Sequence, residues 1–192
     1  MRDALGGLME QALVFASIVL GVAVAFELQH LNFLLRSRNV RWHWAQPIFA
    51  LFVLLTIMSF WWMIARGAED TPMTLARFLP VMWVLVILNL LAAAALPDRV
   101  PDEGLDLAQY YQDNRRYLWG LYLLILVPLA ANWIVVGISR AQSLAELAPY
   151  LLSELPPLAF VVMLFFVRRW WLVALGYAGL SVLVLGWLSR TL

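Results

Sequence analysis

The stretch FFVRRWWLVAL, Phe165 to Leu175, decides how the whole chain is read. Two arginines and two tryptophans, Arg168, Arg169, Trp170 and Trp171, stand together with apolar runs on both sides. A cytoplasmic membrane boundary calls for this combination, because the guanidinium rests in the headgroup layer and the indole at its apolar edge. The stretch then reads as the tight turn between two membrane helices, and its arginines as contacts for lipid headgroups. Related clusters recur at Arg38–Trp44 (RNVRWHW) and Asn114–Trp119 (NRRYLW), the second carrying Arg115 and Arg116. All three are expected to mark the same face of one membrane.

Composition supports a bilayer as the solvent. Of 192 residues 64% are hydrophobic and 13% charged, with mean hydropathy +0.84. Soluble domains are about half apolar and roughly a quarter charged, so this chain has too few charges to cover a water-facing surface. The net charge of +1 gives no general attraction for nucleic acid. There is no cysteine, which excludes disulfides, thiolate ligands and cysteine nucleophiles. All 13 cationic side chains are arginine, so lysine Schiff-base chemistry is excluded too. A signal-peptide cleavage site at Ala23-Val24-Ala25 is not expected, because Asp3 and Glu10 offset Arg2 where a basic segment is required. The segment reads as a retained helix.

A spanning helix needs ~20 mostly apolar residues. Six segments qualify: 11–35, 45–65, 77–96, 117–138, 150–167 and 170–189. The fold expected is all-α, a polytopic integral membrane protein of six helices arranged as three sequential hairpins in a single domain, 1–192. Arginine sets the orientation, since basic short loops stay cytoplasmic. Arg36, Arg38, Arg41, Arg99, Arg115, Arg116, Arg168 and Arg169 fall on one side; Arg2, Arg66, Arg77, Arg140 and Arg190 fall on the other. Eight against five puts both termini on the outer side of a bacterial inner membrane. Trp61, Trp62, Trp133 and Trp187 lie toward the outer helix ends and read as the outer aromatic belt.

Two connections carry more structure. In the cytoplasmic segment 97–116, PDRVPDEGLDLAQYYQDNRR, Asp102 or Asp106 caps a helix that runs on into helix 4. Such a helix of ~30 residues is about 45 Å long, more than a ~30 Å hydrocarbon core, so its first turns project or bend along the surface. Asp102-Glu103-x-x-Asp106 resembles the aspartate-rich Mg²⁺ motif of membrane prenyltransferases over five residues, but the second motif those enzymes use does not follow. Solvated acids with helix capping are the expectation there. On the outer side Ser143–Glu146, SLAE, fits a capping box. The helix it starts meets Pro149, Pro156 and Pro157, so helix 5 is expected to include Glu154 with a kink or to break in two.

The candidate site is FELQHLN, Phe26–Asn32. With helix 1 entering near Ala12, Glu27, Gln29 and His30 fall in the inner part of the hydrocarbon region. At about 100° per residue Glu27 and His30 share a face, while Gln29, Asn32 and Arg36 gather opposite. Lipid rejects a two-sided polar ring, so one face must meet protein or water. Structural hydrogen bonds from this ring to Asn89 or His43 are the plainer alternative to a functional site. Asn89 and Asn132 are expected to bond between helices, and Gly176 and Gly179 to allow close helix approach.

The leading expectation is a transporter or channel for protons, small ions or a small solute, with a cytoplasm-side cavity formed by Glu27, Gln29, His30, Asn32 and Asn89, and Glu154 lining its outer half. Six helices leave little room for a private pore, which favours a homo-oligomer in contact with membrane lipids. The alternatives are a scaffold or sensor binding a cytoplasmic protein through 97–116, and a Mg²⁺-dependent lipid-modifying enzyme. No cofactor, metal or nucleic-acid partner is expected, since the two histidines, His30 and His43, form no ligand motif.

Overall fold

The computed structural model describes the backbone of residues 2–67 and 75–191, and the side chains of 11–66, 78–143 and 145–184. Arg2, Arg77, Trp187 and Arg190, read above as outer-side residues, lie outside the described side chains. The chain is 85% helical. Its elements are α1 (Arg2–Arg36), β1 (Val40–Arg41), α2 (Ala45–Gly67), α3 (Leu75–Ala95), β2 (Leu105–Asp106), α4 (Leu107–Arg140), α5 (Leu144–Phe166) and α6 (Trp170–Thr191). Five stretches are long and apolar enough to cross a membrane: Gln11–Arg36, Ala45–Arg66, Phe78–Ala95, Leu107–Arg140 and Ala145–Phe166. Within the described part of α6 the apolar stretch is shorter, Trp170–Val184. Helices 1, 4 and 5 begin earlier than the apolar runs alone indicate, at Arg2, Leu107 and Leu144. Hydropathy marks where a helix is greasy; the backbone stays helical until a cap or a proline-glycine stretch ends it.

The chain divides into two compact units, Met1–Tyr110 and Tyr111–Leu192. In the first, α1 packs on both α2 and α3, which also pack on each other. The buried residues of α1 are Ala16, Leu20, Ala23, Glu27 and Leu34. They follow the alternating four-and-three spacing of a helical seam, with His30 filling the remaining step. Alanines at two of these positions allow close approach of the neighbouring helices. Facing side chains come from Phe49, Val53 and Ile57 of α2 and from Leu85, Leu88 and Leu91 of α3, all buried. Three polar ties set the helices in register. The Trp61 indole donates to Ser17 Oγ at 3.1 Å, Asn89 Nδ2 donates to the Val19 carbonyl at 3.4 Å, and Gln46 Nε2 donates to the Ala95 carbonyl.

The connection after α3 is not a free projection. Val40 pairs with Leu105 and Arg41 with Asp106 in a two-residue parallel ladder, and the Leu105 amide donates to the Asn39 carbonyl at 2.8 Å. Gly104 turns the chain into this ladder with φ +99°, a left-handed conformation open to glycine, and an added Cβ there would sit 3.2 Å from the Asn39 carbonyl oxygen. Asp106 then caps α4, its Oδ1 accepting from Ala108 N at 2.8 Å and Gln109 N at 3.3 Å. Of the two candidate caps it is therefore Asp106 that acts. From that cap α4 runs without interruption through Tyr110 and Tyr111, about 51 Å at ~1.5 Å per residue.

In the second unit α5 packs against α6. An added Cβ at Gly176 would lie 2.7 Å from Leu164 Cδ2, and one at Gly179 2.4 Å from Phe160 Cζ, so both glycines are there for close approach. Tyr111, Trp119 and Tyr177 form a buried aromatic core in which the Trp119 indole donates to the Tyr111 hydroxyl at 2.9 Å. Half of the expected capping box is present: Ser143 Oγ accepts from Glu146 N at 3.4 Å, while Glu146 Oε2 accepts from Gln142 N, one residue ahead of the cap, at 2.9 Å. Of the two expectations for helix 5, a helix that includes Glu154 and one broken in two, the first holds: α5 runs through Glu154 and continues past Pro149, Pro156 and Pro157. Proline removes single hydrogen bonds, and where no water competes the remaining ladder holds the helix together.

Candidate ion-binding site

Glu27 occupies a seam position on α1 that spacing alone would give to leucine or alanine. It is 1% exposed, enclosed by protein. Neither carboxylate oxygen has a hydrogen-bond partner among the described residues, and the buried Nδ1 of His30 has none either. An ionised carboxylate in such a place is costly by several kcal/mol. The states that remain are the neutral acid, or a carboxylate with a cation or water upon it. One turn along the same face stands the half-buried imidazole of His30.

The two faces of the polar ring separate as the spacing predicts. Gln29 and Asn32 are exposed and, with Phe33, Arg36 and Ser37, line an open groove of about 420 Å³ whose wall includes neither Glu27 nor His30. Asn89 belongs to neither face. Its amide is spent on the Val19 and Leu85 carbonyls, the second at 3.0 Å, so it braces α3 against α1. His43 is engaged elsewhere too. Its Nδ1 accepts from the Ala45 amide at 3.4 Å, at the start of α2. Burial pushes its pKa below the ordinary value, and the Asp106 carboxylate works partly against that.

Glu154 lies in the second unit, half-buried, on a groove of about 330 Å³ with Trp133, Pro149, Tyr150 and Ser153. Asn132 is exposed on α4. The basic residues of the boundary reading divide sharply: Arg116, Arg168, Arg169 and Trp171 are exposed and Trp170 half-buried, whereas Arg115 is 4% exposed. The outer tryptophans Trp61 and Trp62 are exposed, with the Arg66 guanidinium 4.8 Å over the Trp62 ring. The acids of the connection do not gather. Asp98 sits beside exposed Arg99 at 3.7 Å, Asp106 serves as a cap, and no metal-holding group of three or more such ligands exists among the described residues.

Two polar residues stand out that the sequence reading passed over. Gln46 is fully buried, its Oε1 unpartnered. It is the one amide in an otherwise apolar helix start, AQPIFALFVLL, which was a signal in plain view. Gln112 also has a buried Oε1 without a partner, while its Nε2 donates to the Arg168 carbonyl at 3.0 Å. Comparison with protein families, curated proteins and solved structures gives no match for this chain.

Proposed function

We propose that this chain is a bacterial inner-membrane protein whose six helices cross as three sequential hairpins with both termini outside, and that it carries protons or small cations across that membrane. The apolar helices and the arginine asymmetry support the membrane placement. One observation carries the transport reading: a carboxylate at 1% exposure with both oxygens unpartnered, on a helix whose apolar stretch is long enough to span. Ionisable groups retained inside a membrane mark ion or proton paths, because their cost is otherwise unrecovered.

In this mechanism Glu27 is the binding group and His30 the relay one turn toward the cytoplasmic end of α1. A proton arriving from the cytoplasm binds the imidazole, passes to the carboxylate, and leaves when a rearrangement of α1 against α2 and α3 opens the other side. The exposed groove at Gln29, Asn32 and Arg36 is the wetted vestibule, and Asn89 holds the register. The working unit is a homo-oligomer. Exposed Asn132, in an apolar span, supports this, because a polar amide facing outward there seeks a partner on another helix.

The test is flux in liposomes containing a trapped pH dye. Wild-type protein should relax an imposed proton or cation gradient, and Glu27→Gln, which keeps size and helical fold, should lose the activity. Parent protein without flux, or Glu27→Gln with full flux, refutes the reading.

A further inference from the structure

The strongest feature outside the transport path is a basic pocket of the second unit where α4 meets the turn between α5 and α6. Gln112, Asp113, Arg115, Arg168 and Trp170 line about 380 Å³ of space. Arg115 is 96% buried by its 4% exposure, yet no carboxylate pairs with it among the described residues. Its Nη1 donates to the Gln112 carbonyl one turn back at 2.8 Å, and its Nε is buried without a partner. Arg168 shares the wall with it, and Asp113, whose side chain is exposed, is the one acid there. Two guanidiniums on one wall repel each other, and the buried one has also given up its hydration. Such an arrangement is stable when an anion sits between them.

We infer that Arg115 and Arg168 form a binding site for a phosphate group. Guanidinium offers a planar fork of N–H donors matched to phosphate oxygens, and two forks address different oxygens of one tetrahedral group. Carboxylate ligands fit less well, having two oxygens where the pocket supplies donors from two directions. The unpartnered Gln112 Oε1 adds a place for a hydroxyl donor, which a hydrogen phosphate or a phosphomonoester carries. Trp170, half-buried on the same wall, presents an indole edge suited to the glycerol–acyl region of a phospholipid. The phosphate has two possible sources, a lipid headgroup and a soluble phosphate. The site is independent of the transport reading, since it uses neither Glu27 nor His30.

The experiment uses the full chain purified in a phosphate-free maltoside detergent. Dioleoyl phosphatidic acid, dioleoylglycerol and inorganic phosphate are titrated separately, with the thermal midpoint and native mass spectrometry as readouts. Phosphatidic acid should bind saturably and raise the midpoint, and dioleoylglycerol, with the same acyl chains, should not. Competition by inorganic phosphate assigns the site to phosphate itself; saturable lipid binding without competition assigns it to the headgroup of a lipid. Loss of one charge-assisted contact weakens binding by about tenfold or more, the effect expected of Arg115→Gln and of Arg168→Gln. Arg168 is exposed, so its variant tests the site even where Arg115→Gln disturbs folding. Exposed Arg116, off the pocket wall, is the control, and Arg116→Gln should bind as wild type does. Equal binding of the two lipids, unchanged binding in folded Arg168→Gln, or an equal loss in Arg116→Gln overturns the inference.

Discussion

Replacing Glu27 by leucine should make the protein more stable. The position is a seam site enclosed by protein at 1% exposure, and the native carboxylate has no donor to either oxygen among the described residues. A buried polar group without a partner costs about 1–3 kcal/mol relative to the same group in water. Leucine is somewhat larger than glutamate, so the substitution removes this cost without opening a cavity and stabilises to the extent that the added volume fits. A net stabilisation of ~1–3 kcal/mol follows, with the upper end reached if the leucine branch packs without strain. For a chain of this size each kcal/mol moves the melting midpoint by about 2–4 °C, so a rise between ~2 and ~12 °C is expected. Melting in maltoside micelles at pH 7, followed by helical circular dichroism, measures it, with Glu27→Gln as a control that keeps a polar group in place and gains less. A fall of more than ~1 kcal/mol for Glu27→Leu would refute the reasoning, because it would mean that the carboxylate holds partners which contribute to folding.

Two further outcomes concern other parts of the fold. Gly176→Ala should destabilise the protein by about 1–3 kcal/mol, because the new Cβ would lie 2.7 Å from the fully buried Leu164 side chain, which has nowhere to swing; thermal melting checks it, and an unchanged midpoint would mean that α5 and α6 are looser than this. Stability should also fall on acidification through His43. Its folded-state pKa is lowered from 6.5, so the folded chain takes up this proton less readily than the unfolded one; the contribution is complete above that value and lost as pH drops through the folded pKa. Protonation also takes away the Nδ1 acceptor of the Ala45 amide. Melts from pH 8 to 5 should slope for wild type and flatten in part for His43→Asn.

Six helices were legible in the sequence because a ~20-residue greasy run has few readings, and among the described residues five of them are long and apolar enough to cross a membrane. Local chemistry at helix starts was legible for the same kind of reason. Ser143 with Glu146, and Asp106 ahead of Leu107, satisfy orphan amides through contacts only a few residues apart. Glu27 and His30 fell on one face, and Gln29 with Asn32 on the other, by helical periodicity alone. What could not be read depends on segments distant in the chain. Nothing near residue 105 announces a ladder with Val40, and nothing in NRRYLW says that Arg115 is buried while Arg116 is exposed. At helix 5 the prolines left open whether the helix carries on through Glu154 or breaks in two, and it carries on.

The polar interior of the second unit shows how this chain treats buried donors when structure alone is at stake. Trp119 and Tyr111 bond to each other, and each ring stacks within reach of Tyr177, at 5.7 Å and 6.4 Å. The cluster is closed. At the start of α5, too, the Ser143 hydroxyl and the Glu146 carboxylate each accept from a backbone amide. Glu27 and Arg115 break this habit. One is a carboxylate without a donor and the other a guanidinium with no carboxylate paired to it among the described residues, and both lie where an apolar side chain of similar length would cost less. Packing gives no reason for either residue. The two proposed ligands would supply one: a proton or cation for the first, a phosphate for the second, each of the sign that the unmatched group requires.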